Sequence, residues 1–217
     1  MSSTLWYRSF LGHRNLLGRR SLLGRRSLLA SALAGLLASP FALPPANAQI
    51  PPDVLVVGQV AEPATMDPHV ATAVNDFRIL VNIYDGLVRY APGTLEVEPA
   101  LAESWEISED GTVYTFQLRD GVTFHDGTAF DAAAVKFNFD RMLDEEHPLH
   151  GTGPFPLSFF FSAIEETEVV DELTVRFHLN EPYAPFLSNL AYPTGLIVSP
   201  AAVETHVDAF ARNPAGT

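Results

Sequence analysis

The chain has 217 residues, enough for one ordinary domain or for part of a larger protein. It carries 26 acidic against 13 basic residues, a formal charge of −13, and phosphate binding needs a cationic surface, so nucleic acid is not an expected partner. It has no cysteine, which excludes disulfides, thiolate metal sites, a cysteine nucleophile and a lipid-modified amino-terminal cysteine.

The charge is unevenly placed. Arg8, Arg14, Arg19, Arg20, Arg25 and Arg26 all precede residue 48, where there is no Asp or Glu, so the rest of the chain carries −19. Residues 1–48 read as a targeting segment: a basic start, an apolar small-residue stretch over 28–38, then Pro40, Pro44 and Pro45 before Ala46-Asn47-Ala48. Cleavage after Ala48 leaves Gln49 first. The apolar stretch is too short for a permanent membrane anchor. Arg25-Arg26-Ser27-Leu28-Leu29 resembles the twin-arginine export motif, and the general secretory route also accepts paired arginines. A bacterial periplasm is the expected destination, and the protein is not expected to be a lipoprotein.

Val54-Leu55-Val56-Val57, ended by Gly58, predicts a short buried strand. The next stretch, with Pro63 and Pro68, predicts an extended loop. Asn75 or Asp76 is placed to cap a helix through Tyr84, with Phe77, Leu80, Val81 and Tyr84 on one face. Val113-Tyr114-Thr115-Phe116-Gln117-Leu118 alternates as a half-buried strand does, bounded by the turn dipeptides Asp110-Gly111 and Asp120-Gly121. Val122-Thr123-Phe124 predicts a second short strand, closed by Asp126-Gly127. Asp131 is a natural N-cap for an apolar helix over 132–142. Residues 151–161 predict an irregular segment with aromatic anchors. Residues 164–170 and 173–179, joined by Asp171-Glu172, predict a β-hairpin. Gly195-Leu196-Ile197-Val198-Ser199 predicts another apolar strand, and Pro200 the first turn of a helix to His206.

Several of these segments match one family pattern in order. Leu101-Ala102, Trp105, Asp110-Gly111, Tyr114-Thr115-Phe116, Leu118-Arg119, Gly121-Val122, Phe124-His125-Asp126-Gly127, Asp131 and Arg141 follow one another as in the signature region of the extracytoplasmic solute-binding proteins of family 5, which they resemble. These are the peptide, dipeptide and nickel binding proteins that feed ABC importers. The loop Pro63-Ala64-Thr65-Met66-Asp67-Pro68 resembles that family's Pro-x-x-Leu-Asp-Pro, with Met for Leu, a volume-conserving exchange. Pro182-Tyr183-Ala184-Pro185-Phe186-Leu187 also matches. The departure is at Ala132-Ala133-Ala134-Val135, where the family usually has an acidic residue before Val.

The resemblance implies an α/β fold with an α+β insertion, a type II periplasmic-binding-protein-like arrangement of two hinged lobes. On it, residues 49–90 begin lobe I, 91–194 form the extra α+β domain, and 195–217 return to lobe I. The second lobe lies outside the chain, and the chain is expected to be an amino-terminal part of a longer fold. The implied function is capture of di- or oligopeptides for an ABC permease, by a monomer without cofactor or metal. A nickel chelate, an opine or a sugar is the alternative ligand.

A secreted hydrolase is the contrasting class. No GxSxG elbow, HExxH pair or phosphate-binding glycine loop is present. His125-Asp126 reads as a strand-ending turn, and His147 and His150, separated by Pro148, read as solvated loop residues without a third ligand. No catalytic residue is expected. In the family, the loop between the first strand and first helix lines the cleft between lobes. Its counterparts here are His69, Val70, Ala71, Thr72, Ala73, Val74, Asn75 and Asp76. A second patch is Tyr192-Pro193-Thr194-Gly195, where the chain would re-enter lobe I. For Asn75 and Asp76, capping competes with ligand contact, and Gly195 serves a hinge or a turn.

Overall fold

The computed structural model describes residue 51 and residues 53–217. The expected targeting segment, its cleavage site after Ala48 and the first mature residue Gln49 lie outside the described residues. The chain divides into a unit of residues 1–55 and a unit of residues 56–217.

The second unit contains the helices and strands of the described residues: α1 (Val74–Leu80), β1 (Val88–Tyr90), β2 (Val97–Pro99), β3 (Ala102–Ile107), β4 (Val113–Leu118), α2 (Ala132–Leu143), β5 (Ile164–Asp171), β6 (Thr174–Leu179), α3 (Phe186–Leu190) and α4 (Pro200–His206). Short 3₁₀ turns fill several connections. No described helix is long and apolar enough to cross a membrane.

The main sheet is antiparallel, in the order β3-β4-β6-β5. The alternation predicted at 113–118 holds, and that predicted at 173–179 holds over 174–179: Tyr114, Phe116 and Leu118 on β4, and Val175, Phe177 and Leu179 on β6, are buried on one face, whereas the strand predicted at 164–170 buries only Thr167 and does not alternate. Central strands β4 and β6 pair Phe116 with Val175 and Tyr114 with Phe177. The flanking strands carry charge where the sheet ends, Glu103 and Glu106 on β3 and Glu165, Glu166 and Glu168 on β5, which discourages further strand pairing. Helix α2 lies on the apolar face. Phe139 packs edge-on against Phe161 and Phe177, with ring centroids 5.1 and 4.9 Å apart. The predicted cap is present, since the Asp131 carboxylate accepts from Ala134 N at 2.7 Å. The turn glycines Gly111, Gly121 and Gly127 all have positive φ, as their Asp-Gly context predicts.

A second cluster of buried side chains joins Ala71, Phe77, Leu80, Tyr84, Leu196, Val198, Val203 and Phe210, so α1 and α4 share a core beside the sheet. Pro200 opens α4, as expected, and Ser199, read from the sequence as the end of a strand, is its N-cap.

Three expected strands are corrected. Residues 54–57 form no strand, and Leu55 and Val57 are 87% and 70% exposed. An apolar run becomes a strand only when a neighbour supplies ladder partners, and no described strand pairs with it. Residues 122–124 form a tight loop instead of a strand, with Phe124 N donating to Thr128 O at 2.8 Å and a lone bridge between Thr123 and Ala129. Residues 195–199 are buried yet form no strand, only a lone bridge between Leu196 and Gly86. Their backbone is satisfied elsewhere: Ile197 N donates to Asp85 O (2.9 Å), Ser199 N to Ala215 O (3.0 Å), and the Asn138 side chain both accepts from Val198 N (2.8 Å) and donates to Val198 O (2.9 Å). The Asn138 amide therefore does for Val198 what a neighbouring strand would do.

Candidate functional site

The candidate loop begins in residues 61–73, which have no regular structure but are tied down at one root. Asp67 is the centre of that root. Its carbonyl accepts from Val70 N (3.2 Å) and Ala71 N (3.1 Å), and its Oδ1 accepts from His69 N (3.0 Å). Its Oδ2 accepts from Arg141 Nη2 at 2.6 Å, a pair whose side chains are almost wholly buried. Arg141 comes from α2. Its Nε donates to Thr152 Oγ1 at 3.0 Å, and its guanidinium faces the rings of Phe155 and Phe210 at 5.1 and 5.7 Å. Tyr84 OH donates to Met66 O at 2.8 Å, and burial raises its pKa.

His69 completes the root. Its Nε2 lies 3.0 Å from Leu196 O, which can only accept, so Nε2 carries the proton. Nδ1 then presents a lone pair to Arg141 Nη1, 3.4 Å away. Burial pushes the His69 pKa down to about 4; the nearby Asp67 charge opposes this and the Arg141 charge adds to it. The ring is therefore neutral at pH 7, and its 4.0 Å approach to Asp67 is no ion pair.

Beyond the root the loop opens. Thr72 and Val74 are exposed, and Val70, Ala73 and Asn75 are partly so. Neither Asn75 nor Asp76 caps α1, whose N-cap is Ala73 without a side-chain bond. Asn75 Nδ2 donates to Glu62 O (3.2 Å) and to Asp76 Oδ1 (3.1 Å). Asp76 is buried in the first turn and also accepts from Ala64 N at 3.0 Å. Both side chains thus brace the start of the loop. The second patch lies beside the first: Tyr192 packs edge-on against Phe77 at 5.4 Å, and the His69 bond reaches Leu196 just past Gly195. Thr194 is buried, and its Oγ1 has no hydrogen-bond partner. Gly195 lies against Leu190 so closely that a Cβ would fall 2.5 Å from Leu190 O. The fold therefore brings the two patches together, with Thr72 and Asn75 as the accessible polar side chains and His69, Ala71, Asp76 and Thr194 as supports beneath them.

The other histidines and acids of interest are engaged locally. His125 Nδ1 accepts from Gly216 N at 3.2 Å. Burial disfavours the Asp126 carboxylate, yet hydrogen bonds from Ser199 and Thr128 hold its pKa below the ordinary value. His147 packs on Phe137 at 5.2 Å, while His150 Nδ1 contacts Arg141 O at 3.0 Å. Among the described residues no group of three or more His, Asp or Glu is placed to hold a metal ion. A cleft of about 470 Å³ opens between residues 125–128, α4 and residues 213–215, away from the candidate loop.

The importance of Asp67 and Arg141 to each other is not evident from the sequence. The available signal is helical spacing: Ala134, Asn138 and Arg141 fall on the buried face of α2, where two polar residues demand partners.

The architecture has known counterparts. A Helicobacter pylori ABC transporter-associated periplasmic binding protein, DppA, in complex with peptide STSA, superposes with a TM-score of 0.67 and 38% identity over 72% of this chain and 34% of that one. The fold is that of part of a type II periplasmic binding protein. Residues 96–217 match the model described as bacterial extracellular solute-binding proteins, family 5 middle, and the chain belongs to that family. Di/tripeptide-binding protein 2 of Pseudomonas aeruginosa (strain UCBPP-PA14) is 43% identical over 163 residues, 70% of this chain and 31% of its own length. The probable D,D-dipeptide-binding periplasmic protein DdpA of Escherichia coli (strain K12) is 39% identical over 197 residues, 85% of this chain and 36% of its own. The chain thus spans about a third of the length of the curated relatives it matches.

Proposed function

We propose that this chain forms part of the substrate-binding component of an ABC importer that captures di- or oligopeptides outside the cytoplasm and hands them to a membrane permease. The observation that carries the reading is the loop at residues 69–76: rigid at its root, open at its rim, and set in a chain similar to proteins named for peptide binding. Thr72 and Asn75 supply side-chain hydrogen bonds, and the exposed backbone of the loop supplies N–H and C=O groups suited to a peptide. Residues 49–90 and 195–217 belong to one lobe, with 91–194 as the additional domain. Closure of a second lobe over the loop traps the ligand, and binding involves no bond cleavage. The mature protein begins at Gln49, carries no lipid and works as a periplasmic monomer.

The test is native mass spectrometry and calorimetry of the whole protein purified from periplasm and offered a di- and tripeptide mixture. One intact peptide per chain is expected. Thr72→Ala and Asn75→Ala should each weaken affinity by about 2- to 10-fold, the worth of one hydrogen bond. A retained metal chelate, opine or sugar in place of peptide overturns the ligand class, and peptide hydrolysis overturns the reading of binding without turnover.

A further inference from the structure

We propose that Arg141 is a positioning residue for ligand capture: with Asp67 and Thr152 it holds the loop at residues 69–76 in its binding geometry before any ligand arrives. This rests on the proposed peptide-binding role, because it concerns the same loop. Arg141 itself cannot touch a ligand, since it is 0% exposed. Its donors are directed to three residues in two segments, Asp67 and His69 at the base of the loop and Thr152 after the helix. Nη2 binds Asp67 at the base of the loop, Nη1 faces His69, and Nε binds Thr152, whose hydroxyl in turn donates to Leu149 O at 2.6 Å.

Burying a guanidinium is costly unless it is paired and hydrogen-bonded, and an apolar helix face over the same core would avoid that cost. Asp67 Oδ1 turns the same pair towards the loop, because it fixes His69 N, and His69 Nε2 then reaches Leu196 O. The loop is thereby pinned to α2 and to the 194–198 segment at once. The wall next to it is equally constrained. Phe155, against which the guanidinium packs, has a φ of 39°, a backbone conformation unfavourable for a bulky residue. A Cβ on Gly153 would come within 2.5 Å of Val70 Cγ2, so the 150–155 segment closely abuts the loop. A loop held this way meets its ligand already in the competent shape, and unlocking it reduces the competent fraction without removing any contact.

The experiment compares Asp67→Asn, Arg141→Lys and the milder Thr152→Val with Thr72→Ala, which alters a contact, and Phe139→Leu, which alters the core beneath the same helix. Each is made in the whole protein. Binding rates for a dipeptide and amide hydrogen exchange across residues 69–76 are measured. The lock variants should lower kon about tenfold or more with koff nearly unchanged, as expected when a competent fraction falls. Exchange of residues 69–76 should rise without ligand and be restored with it. Thr72→Ala should instead raise koff. Phe139→Leu should lower stability and leave kon unchanged. Unchanged kon with faster loop exchange overturns the proposal, and so does Phe139→Leu reproducing the lock phenotype. If Asp67→Asn and Arg141→Lys do not fold, Thr152→Val decides by the same two readouts. A wild-type protein that binds no peptide at all refutes the peptide-binding role, and unchanged exchange in the lock variants separately refutes the lock.

Discussion

His69 offers a sharp test of the buried root because its charge state is fixed by its surroundings. In the folded protein, burial lowers its pKa from 6.5 to about 4, with Arg141 reinforcing and Asp67 opposing the shift. The unfolded chain therefore binds a proton below pH 6.5 that the folded chain refuses until about pH 4. Stability attributable to this group is intact above the unfolded pKa, declines as pH falls through the window between the two values, and is flat below about pH 4. The slope within that window is about 1.4 kcal/mol per pH unit, and the accumulated loss at pH 4 is about 3 kcal/mol. Replacing the titrating ring isolates the effect, since His69→Gln keeps a donor for Leu196 O but takes up no proton. Denaturant unfolding of the whole protein and of His69→Gln at about pH 7, 6, 5 and 4 should show the wild type losing about 3 kcal/mol more than the variant. Parallel pH curves, or an NMR titration of the His69 ring with a midpoint near the ordinary 6.5, would refute the assignment of a desolvated neutral imidazole.

Asp131→Ala removes the α2 cap and should cost about 1 kcal/mol, read as a fall in the unfolding midpoint in denaturant. Phe177→Ala empties the centre of the aromatic core, where Phe177 meets Phe116, Phe139 and Phe186, and should cost about 3–5 kcal/mol in the same assay. Gly195→Ala drives a methyl into the Leu190 backbone and should cost about 1–3 kcal/mol, whereas Gly151→Ala, with open space around it, should not lower the melting temperature.

Much of this fold is legible because its signals are local. A cap such as Asp131 acts over three residues, and turn pairs such as Asp110-Gly111 act over two. The hairpin of β5 and β6 needs only its own turn; alternation along β6 buries Val175 and Phe177, and β5 follows it with register shifts at Ile164/Glu166 and Val169/Asp171. Two of the misread segments, 54–57 and 195–199, are ones whose state depends on a distant partner, whereas 122–124 closes on its own near neighbours Thr128 and Ala129. Apolar runs at 54–57 and 195–199 have the same strand-like composition, yet one is exposed and the other is buried without forming a strand. Composition measures a preference for burial, and only the tertiary neighbours decide what satisfies the backbone. At the candidate site, Thr72 is recognisable as a polar loop position and Asn75 as a polar residue at a helix start, but the approach of this segment to residues 192–196 is not. It depends on contacts such as Phe77 with Tyr192 and His69 with Leu196, the latter 127 positions apart.

The polar residues inside α2 sharpen the point. A helix face that buries Ala134, Val135, Phe139 and Met142 has no local reason to include Asn138 and Arg141, and each costs stability there unless it finds a partner. Each partner lies in or beside the second core: Asn138 takes both backbone groups of Val198, and Arg141 takes the carboxylate of Asp67. The apolar residues of the helix would pack against almost any complementary surface, but these two accept only one register against the neighbouring segments. Local conflict in α2 therefore marks the joint between the sheet-based core and the core that carries the candidate loop. Of the two side chains that weaken the helix as an isolated pattern, Arg141 ties α2 to the base of the loop at Asp67, and Asn138 ties it to the buried segment at Val198.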